Sequence, residues 1–413
     1  MFEPLKGVKV IDLTYFVAGP GTARILADWG ADVIKVEPPF GDPGRGTGAT
    51  MSMPADNNSN PFYSAYNANK KGVALNLKTE EGKSILGKML DSADVFVSSY
   101  RTGALKRLGL DYETLHKQYP RLVWAQINGF GDFGPAKDKP GFDTVAYWAR
   151  SGTMMDIPNK GSGPINPPIG FGDATTASSL AGGICAALYQ RMNTNEGCKV
   201  MISLFSQAIW GASCEIASTQ YADVYPKSRA QDATSPVINA YECSDGEWIF
   251  LSILEPDRYN NILFKALGRD DLVDHPKFAT AAASKANCQE LTEILNGEFA
   301  KHTRDEMVQI LTDVDIAHEK IQHFEDVWKD PQAIDNRYVI PTKNFDGTTT
   351  WQAASPIRFA KEEPKTVDDI DPTFKCQAPR IGQDTVEVLK DYGYTQEEID
   401  GFVEKGAAAV YTG

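Results

Sequence analysis

Residues 8–37 read VKVIDLTYFVAGPGTARILADWGADVIKVE. An apolar run, VKVIDL, leads into a glycine-bearing turn, a helical stretch and a second apolar run ending in Glu37. That order predicts strand, helix and parallel strand, the unit from which nucleotide-binding α/β sheets are built. A dinucleotide fingerprint needs three glycines: for a tight turn, for close approach to the pyrophosphate, and for helix-on-strand packing. Gly19 and Gly21 fill two places, and Arg24 stands in the third. Strand character ends near Asp12, so the glycines come late. Glu37 stands where a ribose-binding acid would stand. Two readings follow, an anionic ligand at the turn or a plain structural turn, and NAD is the weaker form of the first.

The alternation continues for about 200 residues. GVALNL, DVFVSS and LVWAQINGF read as strands, with EEGKSILGKMLDSA and YETLHKQYP as helices between them. Ile85, Leu86, Met89 and Leu90 form a 3.6-period stripe. Alternation of this kind predicts a parallel sheet with helices on its faces. From Asp173 a small-residue helix runs through TTASSLAGGICAALYQRM, followed by KVMISLF as a strand and SQAIWGASCEIASTQ as a helix. The texture then changes. NAYECSDGEWIFLSI reads as a hairpin around Asp245-Gly246, and helical pieces follow. We expect a large domain over 1–205, a linker over 206–231 and a smaller α+β domain over 232–325.

Composition excludes several classes. With 41 basic against 55 acidic residues the net charge is −14, which repels a polyanion, so no nucleic acid is expected. The six cysteines are scattered without a C-x-x-C, which reads as reduced thiols. The N-terminus lacks a basic-then-apolar signal region, and no run of about 18 apolar residues occurs. A cytoplasmic protein with no membrane partner is the expectation.

Familiar motifs fail in turn. GDPGRGTG, from Gly41, has a P-loop's glycine spacing, but Thr47 stands where the lysine belongs. His318 and His323 of HEKIQH fall on different faces of a helix, so they are not an i, i+4 zinc pair. There is no G-x-S-x-G, and four of the five histidines lie after residue 270. Carboxylates remain, and Asp173 in GFGDATTASS stands out. It reads either as the N-cap of the following helix or as a nucleophile on a glycine loop. An aspartate is ionised at pH 7, so it needs no adjacent base. Basic groups recur at expected strand ends: Lys70, Lys71 and Lys78; Arg101, Lys106 and Arg107; Lys137 and Lys139. Each reads as a solvated charge or, taken together, as a cradle for a ligand with several phosphates.

Seven stretches carry a resemblance: LKGVKVIDLTYFVAGPGTARILADWGADVIKVEPPFGDPGR, NKKGVALNLKTEEGK, ADVFVSSYRTGALKRLGLDYETL, PRLVWAQINGFGDFGP, GFDTVAY, GFGDA and APRIGQDTVEVLKDYGYTQEEI. In this order, over nearly the whole chain, they resemble the family III CoA-transferases. Within the family the likeness is to the 2-hydroxyacid CoA-transferases of amino-acid-fermenting anaerobes, which act on 2-hydroxyisocaproate or phenyllactate. The resemblance implies that the nucleotide is the adenosine of coenzyme A, bound as a thioester substrate, with no tightly bound cofactor and no metal. It implies that Tyr15, Phe16 and Ala18 line the CoA channel, and that Leu75 and Lys78 meet the adenine and phosphates. Ser99, Tyr100, Arg107 and Leu108 lie further along, with Lys139 beside the place of a family lysine. Val17, Phe142, Gly170 and Gly172 fall near the thioester, and Asp173 is the catalytic aspartate.

The family fold implies a Rossmann-like large domain, a small domain, and two chains wound as interlocked rings. Residues 326–413 then return to the large domain. Departures narrow the substrate. Pro38 and Pro140 replace an Arg and a Lys of formyl-CoA transferase, Val17 replaces a Gln, and Ala177 replaces a glycine. The later glycine-rich loop of that enzyme has no counterpart. A bulkier, less polar acyl group than formate or oxalate is therefore implied. An α-methylacyl-CoA racemase shares the fold, but Phe142 stands where its histidine is expected. A dinucleotide-dependent oxidoreductase and a non-catalytic CoA-binding protein are the remaining alternatives.

Overall fold

The computed structural model describes residues 2–159, 161–221, 234–370 and 374–412. The opening stretch folds as β1 (Lys9–Leu13), α1 (Ala18–Asp28) and β2 (Asp32–Glu37). Val10, Ile11 and Leu13 are buried although they point to opposite faces, the mark of a strand covered on both sides. The strand runs one residue past Asp12. Next come α2 (Pro61–Asn67), β3 (Lys71–Leu75), α3 (Glu80–Leu90), β4 (Val95–Ser98), α4 (Thr102–Leu108), α5 (Tyr112–Gln118) and β5 (Val123–Asn128). The predicted stripe on α3 is the buried one, and Thr79 caps that helix by accepting the Gly82 N–H. A π-helical turn (Asp143–Ala149) and a short α6 (Thr153–Asp156) precede the long α7 (Phe171–Thr194), followed by β6 (Lys199–Ser203) and α8 (Leu204–Gly211).

The sheet order is β3-β2-β1-β4-β5-β6, all parallel. The order reverses between β1 and β4, and ligands of open α/β sheets bind at such a switch point, beyond the strands' carboxyl ends. Glycines let α7 pack tightly. A Cβ on Gly183 would meet Val200 at 3.1 Å, and one on Gly21 of α1 would meet Ala177 at 3.1 Å.

The chain forms two compact units. The large one comprises Met1–Thr153, Pro167–Ser213 and Trp328–Gly413, and the small one Met154–Asn166 and Cys214–Val327. In the small unit, α9 (Ser213–Ser218) is followed by β7 (Ile238–Glu242) and β8 (Trp248–Ser252), which pair as an antiparallel hairpin. Gly246 takes φ 78° at its turn. Helices α10 (Pro256–Ala266), α11 (Ala281–Ala286), α12 (Cys288–Phe299) and α13 (Arg304–Asp313) follow; α10, α12 and α13 pack on the hairpin around Tyr241, Phe264, Leu295 and Phe299, with α11 beside α12. HEKIQH is not helical: His318–Lys320 is β9, antiparallel to β8. Of the expected linker, α8 and α9 occupy residues up to 218, and 222–233 lie outside the described residues.

The last segment adds α14 (Pro331–Asp335) and the hairpin β10 (Val339–Lys343) and β11 (Thr349–Ala353). It ends in α15 (Thr385–Asp391), α16 (Gln396–Glu404) and β12 (Ala408–Ala409), which pairs antiparallel with β3. Val388, Leu389 and Ile399 complete the core formed with Leu75, Ile85 and Phe96. Among the described residues no helix is long and apolar enough to cross a membrane.

Candidate active site

The turn after β1 is held by charges buried beneath it. Lys70 lies fully inside and gives its three protons to Asp12 Oδ2 at 2.8 Å, the Pro20 carbonyl at 2.8 Å and Asn67 Oδ1 at 2.9 Å. Burial alone raises the Asp12 pKa, yet Lys70 and Lys35 outweigh it and hold the carboxyl below its ordinary range. Lys35, also buried, pairs with Asp42 at 3.0 Å and donates to the Thr14 carbonyl at 2.7 Å. Asp42 in turn accepts the Phe16 N–H at 3.2 Å. Phe16 takes φ 65°, a left-handed conformation that costs a side-chain-bearing residue about 1 kcal/mol or more. The network maintains it. Lys70 thus serves the scaffold and not a phosphate cradle, which corrects the surface reading of the NKK run.

Above this base lies a cleft of about 770 Å³ including its open mouth. Tyr15, Phe16, Val17 and Ala18 line it from the β1 turn, Ser99 and Arg101 from the end of β4, and Lys137, Lys139 and Phe142 from the loop after β5. Asp173 lines it from the first turn of α7. The Ser99 hydroxyl accepts the Tyr15 N–H at 3.0 Å, joining the two strand ends of the switch point. Aromatic rings follow one another from the main core into the cleft: Tyr100, packed against that core, to Tyr15 at 5.3 Å, Tyr15 to Phe16 at 5.3 Å, Phe16 to Phe142 at 5.5 Å. Each pair is tilted or edge-to-face, a favourable arrangement for aromatic quadrupoles.

Other expected site residues lie elsewhere. Leu75 is buried in the main core with Leu108 packed against it, while Lys78 and Arg107 are exposed. Gly170 and Gly172 are buried at the start of α7. Glu37 is committed: Arg45 binds it at 2.6 Å and the Asp42 N–H at 2.8 Å, so no ribose-binding acid is free there. That removes the main support for a dinucleotide.

Asp173 does not cap its helix. The N-cap is Gly170, at φ 82° and without a side chain, and Asp173 sits three residues in. The cap is Asp143, which sequence reasoning missed because it lies 27 residues upstream. Its Oδ2 accepts the Gly170 N–H at 2.9 Å, and the amides of Gly172 and Phe171 lie close enough to stabilise its charge. The Gly170 N–H is therefore committed to Asp143 and is not a free donor to the cleft. Burial still pushes Asp143 up to about 6. Asp173 is pushed up to about 7, first by burial and then by the charge of Asp143. It is therefore only part-ionised at neutral pH, against the expectation of full ionisation. Tyr66 of α2 stands by: a Cβ on Gly170 would lie 3.3 Å from its hydroxyl, and burial, Asp173 and Asp143 raise that phenol to about 12.

The model of CoA-transferase family III matches residues 5–385. The chain belongs to this family. This family III CoA-transferase is 38% identical over 398 residues to the (R)-2-hydroxy-4-methylpentanoate CoA-transferase of Clostridioides difficile, covering 96% of this chain and 98% of that one. It is 39% identical over 398 residues to the cinnamoyl-CoA:phenyllactate CoA-transferase of Clostridium sporogenes, covering 95% and 94%. Among solved structures, a CAIB/BAIF family protein from Brucella suis superposes with a TM-score of 0.80 at 26% identity, covering 95% of this chain and all of that one. The switch-point cleft of the family III CoA-transferase is thus built on a fold shared along the whole chain.

Proposed function

We propose that this chain moves coenzyme A from an acyl-CoA to a 2-hydroxy carboxylate of the 2-hydroxyisocaproate or phenyllactate kind. The observation that carries the reading is Asp173: it lines the switch-point cleft and, among the described residues, its carboxylate accepts no hydrogen bond. The two clostridial relatives support the acid class. The exposed rings of Phe142 and Phe171 support an apolar acyl group.

In this mechanism the Asp173 carboxylate attacks the thioester carbonyl, the C–S bond breaks, and an aspartyl-acyl anhydride and CoA thiolate form. The thiolate attacks the aspartyl carbonyl, releasing the donor acid and leaving an aspartyl-CoA thioester. The acceptor carboxylate repeats the exchange in reverse. Every step trades one activated acyl for another, so no net energy input is required. Tyr15, Phe16, Ala18, Ser99, Tyr100 and Lys139 hold the coenzyme along the cleft. Leu75, Lys78, Arg107 and Leu108 serve its adenosine end, Leu75 through its backbone because its side chain is buried. Val17, Phe142, Gly170 and Gly172 surround the thioester. The active form is an interlocked homodimer in the cytoplasm, with 326–413 completing the large domain. Sedimentation as a folded monomer at micromolar concentration would contradict the dimer.

Trapping tests the covalent route. The protein is incubated with 2-hydroxy-4-methylpentanoyl-CoA and hydroxylamine, digested, and mapped by mass spectrometry. A hydroxamate on Asp173 is expected, and its absence with aryl- and branched-acyl-CoAs alike overturns the reading. The pH profile gives a second check. Attack needs the anion, so kcat/KM rises about tenfold between pH 6 and about 7 and then levels. A flat profile down to pH 5 would contradict it.

A further inference from the structure

The residue three places into a helix usually turns back on the N-cap. In a capping box the acid at that place accepts the N-cap N–H. Asp173 holds that place on α7. The N–H it would take, that of Gly170, donates to Asp143 instead. Asp143 begins the π-helical turn and is only 4% exposed. It reaches the helix end through a gap that only glycine leaves: a Cβ on Gly172 would fall 2.3 Å from Asp143 Oδ1 and 2.4 Å from Tyr147 Cγ. The helix terminus favours one nearby anion, and Asp143 supplies it.

We propose that Asp143 is a positioning residue: by capping α7 from another element, it keeps the Asp173 carboxylate turned out into the cleft as an uncommitted nucleophile. This rests on the reading of Asp173 as the nucleophile. Without the Asp143 charge, the Gly170 N–H is held only by a weaker, neutral bond, so Asp173 folds back to compete for it and its attacking oxygen is withdrawn. The same change lowers the Asp173 pKa, because a hydrogen bond to the charged form favours it and a like charge is removed. The other titratable groups of the region are Tyr147 from the π-helical turn, Tyr66 from α2, Tyr15 from the β1 turn, Arg101 from the end of β4, and Lys137 and Lys139 from the loop after β5. None of these is altered in the test.

The test compares the wild type with Asp143→Asn and Asp143→Ser, all as full chains with 2-hydroxy-4-methylpentanoyl-CoA. Folding is followed by circular dichroism, turnover by CoA exchange, and nucleophile reactivity by hydroxylamine labelling of Asp173. We expect KM for the acyl-CoA to stay within about twofold while kcat falls about 10- to 100-fold, the cost of losing oriented attack. The acid limb of kcat moves down by about one pH unit. An unchanged kcat, or a fall in kcat with the acid limb unmoved, overturns the proposal, since a merely structural residue would not shift that limb. A wild-type measurement stands independently of how the variants fold. The single-turnover rate of CoA release from the acyl-CoA by the wild type declines below pH 6 with a slope of two protons, because both carboxylates must be charged, and a slope of one down to pH 4.5 overturns the idea. If wild-type Asp173 takes no label at any pH, the nucleophile reading fails and this proposal with it. If it labels and Asp143→Asn labels identically, only the proposal about Asp143 fails.

Discussion

Replacing Asp173 with asparagine abolishes CoA transfer and makes the protein more stable. Asparagine has the same shape and no anionic oxygen, so no anhydride forms, and kcat falls by at least about 10⁴-fold, the scale on which lost nucleophiles are felt. The stability gain follows from the raised pKa. A carboxyl that moves from 3.8 to about 7 on folding prefers its neutral form in the folded state. Its favourable contribution is complete below the unfolded value and is lost as pH rises through about 7, so above that the ionised group opposes folding. About three pH units correspond to about 4 kcal/mol, and partial exposure to the cleft reduces this to about 2 kcal/mol. Thermal unfolding of the two proteins at pH 8 and pH 4 measures it. The variant melts higher at pH 8, and the difference vanishes at pH 4. A variant that melts lower at pH 8, or that keeps a tenth of its activity, would sink both halves of the argument.

Lys70→Met costs about 3–5 kcal/mol, the toll of leaving a buried charge without its partner. Methionine fills the volume, but Asp12, the Pro20 carbonyl and Asn67 all lose the donor that satisfied them. Asp12 keeps only Lys35 as a neighbouring cation. Because Lys70 ties β1 to the start of α1, the turn carrying Tyr15 and Phe16 loosens, and KM for the acyl-CoA rises. Adding Asp12→Leu to Lys70→Met restores most of the lost stability, since no orphaned charge remains. Urea midpoints of the single and double variants decide the matter. A single variant that costs under about 1 kcal/mol, or a double variant as weak as the single, would mean that the pair is not the anchor.

These two residues also mark how far the sequence could be read. Local signals carried the fold: the apolar runs of β1 to β5, the buried stripe of α3 and the Asp245-Gly246 turn lie where their periodicity places them. Asp173 was legible as a chemical candidate because a glycine-flanked acid before a long helix is a short-range pattern. What it does at the helix end was not legible, because the competing cap lies 27 residues away and meets Gly170 only through the tertiary fold. Lys70 was misread for the same reason. Its partner Asp12 is 58 residues distant, and a lysine beside another lysine gives no local sign of burial. Glu37 matched a ribose-binding position in sequence, yet Arg45 closes back on it across the intervening loop. HEKIQH was judged on helical geometry, whereas pairing with β8 draws it into an edge strand.

The pairing of β12 with β3 bears on how the chain is made. The ribosome releases β3 long before Ala408, so the edge that β12 covers stays open while the intervening residues are made. The hydrophobic surface that awaits Val388, Leu389 and Ile399 stays uncovered for as long. Closing contacts this distant in the chain is slow, and an exposed strand edge recruits other chains meanwhile. The nascent large unit is thus open to wrong pairings until β12 emerges, and those two residues act as the latch on its edge.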